Sequence, residues 1–213
     1  MSIGWLTEIT GDLRMEFLQW IQGLKILVDI HISRWINVTA QNLKCCTIHT
    51  FCDTNKEAYA AVIFLRLEEE GSVKLSLLAV KSRIAPLKDS IIPRLELLAT
   101  LVGARLTHSA VEVLHWKETK CYYWSYSTIV LAWISGEENW SVFVRNRVQE
   151  IRKLTSPLEW NNEAGELNPA DLPPKGCTAT LLLSLRWWDG PHWLTEPLDF
   201  SHHENIYSED LVE

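Results

Sequence analysis

Thr47-Ile-His-Thr-Phe-Cys52, Ala58-Tyr-Ala-Ala-Val-Ile-Phe-Leu-Arg-Leu67 and Val73-Lys-Leu-Ser-Leu-Leu-Ala-Val-Lys-Ser82 are three runs separated by a polar turn and by Glu68-Glu69-Glu70-Gly71. Runs of this composition read as strands. Connections this short make them antiparallel neighbours, because a parallel pair needs a crossover of a dozen or more residues. Beyond them the period changes. From Pro93, the residues Leu95, Leu98, Val102 and Leu106 recur at helical spacing, and the proline sits in the first turn, where its missing N–H costs nothing. Lys120–Trp124 then reads as a fourth strand, Thr128 to Ile134 as a short helix and Val142–Leu154 as an amphipathic helix. Leu158–Asn161 is a last short strand, and Gly165 to Gly176 is a proline-bearing loop with at most a helical turn. The order βββαβααβα excludes a doubly wound sheet, because the first three strands lack crossover helices. The expected class is α/β: a mixed five-stranded sheet, its first three strands antiparallel, flanked by helices.

Upstream, Asp12 to Gly23 carries Leu13, Phe17, Trp20 and Ile21 near helical spacing, and Leu27-Val-Asp-Ile-His-Ile32 alternates like a strand. Residues 1–45 are therefore expected to be a helix–strand lead-in, the end of a preceding module. Residues 46–177 are expected to form the main domain, 178–200 a tryptophan-rich extension and 201–213 a loose acidic tail. Eleven tryptophans in 213 residues, three of them at Trp187, Trp188 and Trp193, suggest a buried cap or a docking surface, packing being the first expectation.

The net charge of −7 means that attraction to a polyanion cannot come from the overall field and must rest on local basic patches. Five cysteines, an odd number without a CxxC pair, read as free thiols of an intracellular protein, cytoplasmic or nuclear. Charges break the apolar stretches, so no membrane role is expected.

Asp53 ends the first strand, Glu96 lies in the first turn of the long helix, position 126 ends the fourth strand and Asp171 lies at the last loop-to-helix junction. Taken singly, each acid is explained as a turn or helix-start residue. Taken together, they sit where carboxylates from several elements could converge on a pair of hard cations, which take oxygen ligands.

Phe51-Cys-Asp53, Ala79-Val-Lys-Ser-Arg-Ile-Ala-Pro-Leu87, Ile92-Pro-Arg-Leu-Glu-Leu97 and Asn168-Pro-Ala-Asp-Leu172 resemble motifs of the Bel/Pao retrotransposon polyprotein. Val130-Leu-Ala-Trp-Ile134, Phe143-Val-Arg-Asn-Arg-Val148 and Trp187-Trp-Asp-Gly-Pro-His-Trp-Leu194 extend the match from about Gly4 to Pro197. The resembled region lies between reverse transcriptase and integrase. It implies a ribonuclease-H-like fold that hydrolyses the RNA of an RNA–DNA hybrid with two Mg²⁺ or Mn²⁺ ions. Asp53, Glu96 and Asp171 would be catalytic metal ligands, and the polymerase and integrase of the same polyprotein would be ancestral partners.

The sequence departs from that pattern. Trp124-Ser-Tyr-Ser-Thr128 has Tyr126 where the family has an aspartate, and Asn162 stands where a histidine is usual. Pro173-Pro-Lys-Gly176 replaces a more familiar Ser-Arg-Gly ending. Tyr126 removes a charge and adds bulk at a ligand position, so impaired catalysis is expected unless Glu163 or Asp89 substitutes. Lys81, Arg83, Arg94, Arg145, Arg152 and Lys153 are the candidate phosphate contacts. A non-catalytic nucleic-acid-binding or connection-type module, and a host-adopted interaction remnant, stay open beside the weakened hydrolase. An aspartic protease is discarded, because Asp53-Thr-Asn55 lacks the glycine that its loop needs.

Overall fold

A computed structural model of the chain describes residues 7–86, 91–137, 140–163 and 165–197. Asp89 and the acidic tail lie outside these residues. The first three strands are β1 (Cys46–Thr54), β2 (Ala58–Glu69) and β3 (Ser72–Ile84), followed by helix α2 (Ile92–Leu114) and β4 (Lys120–Ser125). Helices α3 (Thr128–Ser135) and α4 (Val142–Leu154) precede the short β5 (Trp160–Asn162), and α5 (Leu172–Lys175) and α6 (Ala179–Leu185) are the last α-helices among the described residues. The sheet order is β3-β2-β1-β4-β5, antiparallel across the first three strands in sequence and parallel for β1–β4 and β4–β5.

Alternation along β1 and β2 sends side chains to two different cores. Cys52 and Ala61 meet α2, α3 and α4 through Leu95, Leu101, Val130, Ile134, Val144 and Ile151. Contact is tightest at Gly103, where a Cβ would stand 2.4 Å from the Cys52 Sγ, so only glycine lets α2 approach β1 this closely. Phe51, Val62, Phe64 and Trp124 face the other way and are covered by Leu194, Trp187 and Trp193. The tryptophan-rich segment is thus a cap over the second sheet face. Gly190 turns the chain there at φ +84°, with a Cβ position only 2.9 Å from Leu75 Cδ1.

Arg66 ties this cap to β2. Although buried, it donates from Nε to the Leu194 carbonyl (2.9 Å) and from its terminal nitrogens to the Glu196 carbonyl (3.1 Å) and the Glu68 carboxylate. Every main donor group is therefore partnered, as a buried guanidinium requires.

Two expectations for local structure are corrected. Residues 24–29 form a 3-10 turn and Ile30–Ile32 makes no strand pairing, so the strand expected at Leu27–Ile32 is absent. The segment lies against α6 and not along an edge of the sheet. The last strand begins at Trp160 and not at Leu158, because Pro157–Glu159 is a 3-10 turn closed by a capping box from Ser156 and Glu159. Helix α1 (Gly11–Gly23) forms where expected but has no buried residue.

His49 is fully buried on β1 between Tyr122 and Trp124. The Trp124 indole N–H donates to Nδ1 (3.2 Å), so the ring proton sits on Nε2 and points at Thr47 Oγ1 (2.9 Å). Burial, with the Arg66 charge adding, pushes this imidazole down to about 3. The unfolded chain protonates near pH ~6.5. Stability that depends on neutral His49 is therefore complete above that pH and falls as the pH drops toward 3, by roughly 1.4 kcal/mol per pH unit. Melting temperatures between pH 7 and 4 should fall more steeply for the wild type than for His49→Gln; parallel profiles would contradict a neutral, buried imidazole.

Candidate active site

Asp53 and Asp171 meet at the C-terminal end of β1. Asp53 is the last residue but one of β1, and its Oδ1 accepts from the Thr54 N–H at 2.7 Å. Asp171 is carried to it by the loop after β5. That loop is fastened to the strand by Asn168, whose buried amide donates to the Cys52 carbonyl (3.0 Å) and accepts from the Ala170 N–H (2.9 Å). A second fastening runs from the Asn55 side-chain amide to the Pro174 carbonyl at 2.9 Å.

The Asp53 and Asp171 carboxyls come within hydrogen-bonding contact. Burial first, then the neighbouring Asp171 charge, raises the Asp53 carboxyl to about 6, against the opposing Thr54 N–H and the Lys175 ammonium. Lys175 donates to Asp171 Oδ2 at 2.7 Å. A raised carboxyl works against His49 in the pH balance: it binds its proton in the folded state first, so its contribution is lost as pH rises through about 6.

Glu96, expected in the first turn of α2, lies one turn into it because the helix starts at Ile92, and it lines a narrow cleft together with Asp53, Ser125, Tyr126 and Ser127. Ser127 caps α3 by accepting from the Val130 N–H (3.3 Å) and donates its own hydroxyl to Glu96 Oε2 at 2.6 Å. Tyr126, between these serines, is 60% exposed, and its ring lies beside Gly165, whose Cβ position would be 3.7 Å away. Asn162 is exposed at the end of β5, in register with Ser125, and the following Glu163 N–H donates to the Ser125 carbonyl at 3.2 Å. Among the described residues no three His, Cys, Asp or Glu side chains group closely enough to hold a metal ion. The arrangement is a carboxylate pair, Asp53 and Asp171, with Asp53 also lining a cleft that it shares with Glu96.

The candidate phosphate contacts divide. Lys81 and Arg83 are exposed on β3, in register with Ala61 and Tyr59, and strand pleating sends them to the α2 side of the sheet. Arg145 and Lys153 are exposed on α4. Arg94 is exposed beside Phe143, 5.1 Å from the ring centroid, with Arg147 over the same ring at 3.6 Å. Arg152 is committed elsewhere. Its guanidinium donates to the carbonyls of Ile134 (2.7 Å), Trp133 and Gly136, neutralising the C-terminal end of α3. Sequence reading missed Ser127, Asn168, Asn55 and Lys175 as organisers of the site. Ser and Asn just before helical turns were the available signal.

A family model described as the Pao retrotransposon-like RNaseH-like domain matches residues 1–127. The chain belongs to this family. The matched stretch holds β1 to β4 with Asp53, Glu96 and Tyr126, and Asp171 follows it. No curated protein matches the chain. Among solved structures, RNase H1 from the halophilic archaeon Halobacterium salinarum NRC-1 aligns with a TM-score of 0.34 at 11% identity, over 55% of this chain and 83% of that one. The N-terminal RNase H domain of a Mycobacterium tuberculosis protein gives 0.34 at 14% identity, over 56% and 79%. RuvC of Thermus thermophilus gives 0.30 at 12% identity, over 73% and 86%. By its family the Pao-type chain has an RNase H-like fold, and its sheet has β1 central with the acid-bearing end of that strand beside the end of β4.

Proposed function

We propose that this domain descends from a two-metal nuclease acting on the RNA strand of an RNA–DNA hybrid, and that Tyr126 has impaired its chemistry while leaving nucleic-acid contact possible. The observation that carries this reading is the contact between the Asp53 and Asp171 carboxyls, Asp53 lining a cleft that it shares with Glu96 and Tyr126. An all-oxygen donor set of this kind suits Mg²⁺ or Mn²⁺, and paired carboxyls gain most from a cation between them. Asp53 and Asp171 would hold one ion, and Glu96 lines the cleft next to Asp53. When bound, such an ion supplies charge stabilisation for the attacking and leaving oxygens.

The chain's own residues account for the rest. Ser127 fixes the Glu96 rotamer, and Asn168 and Asn55 fix the approach of Asp171 to Asp53. A second ion would need a further carboxylate at the end of β4. The neutral phenol of Tyr126 brings neither charge nor compact oxygen geometry there. Glu163, whose backbone N–H is bonded to the Ser125 carbonyl, is the replacement proposed among the described residues. Arg94, Arg145, Lys153, Lys81 and Arg83 are the cations proposed for phosphates. Ancestral polymerase and integrase partners belong to the same proposal. The lead-in supports an upstream partner, since Phe17, Trp20 and Ile21 of α1 are all more than a third exposed.

The test is a labelled RNA–DNA hybrid incubated with the protein and Mg²⁺ or Mn²⁺, with binding followed across salt. The expected result is retained, salt-dependent binding with turnover about three decades below an intact two-metal site. Brisk hydrolysis by the unmodified chain would overturn the impairment, and salt-independent binding would overturn the phosphate contacts.

A further inference from the structure

We propose that Lys175 is a tethered counterion for the Asp53–Asp171 pair, so that a divalent cation entering the site must displace its ammonium group. The inference rests on the reading of these two carboxylates as cation ligands, and it assigns a controlling residue to them.

Lys175 Nζ lies 2.7 Å from Asp171 Oδ2, and its charge also acts on Asp53. One positive charge therefore serves two carboxyls in contact. Its placement is built into the backbone. The pair is spaced i, i+4 across the single turn of α5, whose interior is Pro173-Pro174, residues that fix φ. Pro174 is buried and its carbonyl is held by Asn55, while Gly176 ends the turn at φ +69°. The Lys175 side chain itself is 60% exposed. An exposed ion pair of this type is weak. The lysine can therefore swing into solvent when a stronger charge arrives, and the competition sets cation affinity without blocking the site.

The full chain is titrated with Mn²⁺ alone, free ion being followed by its electron paramagnetic resonance signal, a readout independent of cleavage. Lys175→Met is expected to bind Mn²⁺ about fivefold to tenfold more tightly than the wild type, Lys175→Arg to keep wild-type affinity, and Asp53→Asn to lose binding. Equal or weaker binding by Lys175→Met, beside wild-type binding that Asp53→Asn abolishes, would overturn the counterion role and leave the carboxylate site standing. Absence of Mn²⁺ binding by both the wild type and Lys175→Met would overturn the carboxylate site, and the counterion role with it. Tighter binding by Lys175→Arg as well would show that side-chain fit, not charge, controls the ion, and would also overturn the proposal.

Discussion

Tyr126→Asp is expected to raise hybrid cleavage by about two to three decades over the unmodified chain. The substitution places a carboxylate directly after Ser125, which pairs with Cys52 in the β1–β4 ladder, and so beside Asp53 and Glu96 in the cleft. If the missing charge accounts for ~4 kcal/mol of leaving-group stabilisation, its return corresponds to about three decades in rate. Folding should barely change. The Tyr126 ring is 60% exposed, with Gly165 beside it, so its loss belongs with surface changes of about ±0.5 kcal/mol. Cleavage of a labelled hybrid with Mg²⁺ and with Mn²⁺ measures the gain. Asp53→Asn in the same background is the control and should abolish it. A gain that survives Asp53→Asn, or no gain at all, would sink the account of Tyr126 as the defect.

Leu194→Ala should cost 2–5 kcal/mol of unfolding free energy, in the range of large-to-small changes at fully buried sites. Leu194 is completely buried over Phe51, Val62, Phe64 and Trp124, far from the first strand in sequence. Its carbonyl also receives the Arg66 Nε–H, so a backbone shift after truncation would disturb a buried guanidinium as well. Leu181, 45% exposed on α6, is the comparison, and Leu181→Ala should change stability by no more than about 0.5 kcal/mol. Urea titrations of both variants decide the matter. Equal, small effects would mean that the cap is not part of the cooperative unit.

These two positions show what a sequence reading reaches. The meander was legible because each of its strands satisfies its own alternation and its neighbours follow within a few residues. Helix α2 was legible because its stripe and Pro93 are local signals. The packing use of Trp187 and Trp193 was the first expectation, but the partner face was not legible, since Phe51 and Trp124 are recognised as its floor only when the sheet exists. Leu27–Ile32 misled for the opposite reason: alternation says that a strand could form, and only an available edge makes one. In the site, the acids were legible as types at element ends. Their organisers were not. Arg152 looks like any basic residue on an amphipathic helix until Ile134 and Gly136 are found beneath it. Ser127 and Asn168 act across 31 and 116 residues, separations that no local pattern encodes.

The position of the cap along the chain also bears on how the molecule is made. Residues 187–194 are synthesised after β1 to β4, so one side of the sheet, with Phe51, Phe64 and Trp124, stays wet through nearly the whole of translation. A nascent or clipped form lacking this segment would expose a sticky aromatic surface, the kind of species that aggregates or engages chaperones. Yield of soluble material, more than the final melting point, is where damage to this segment should register first.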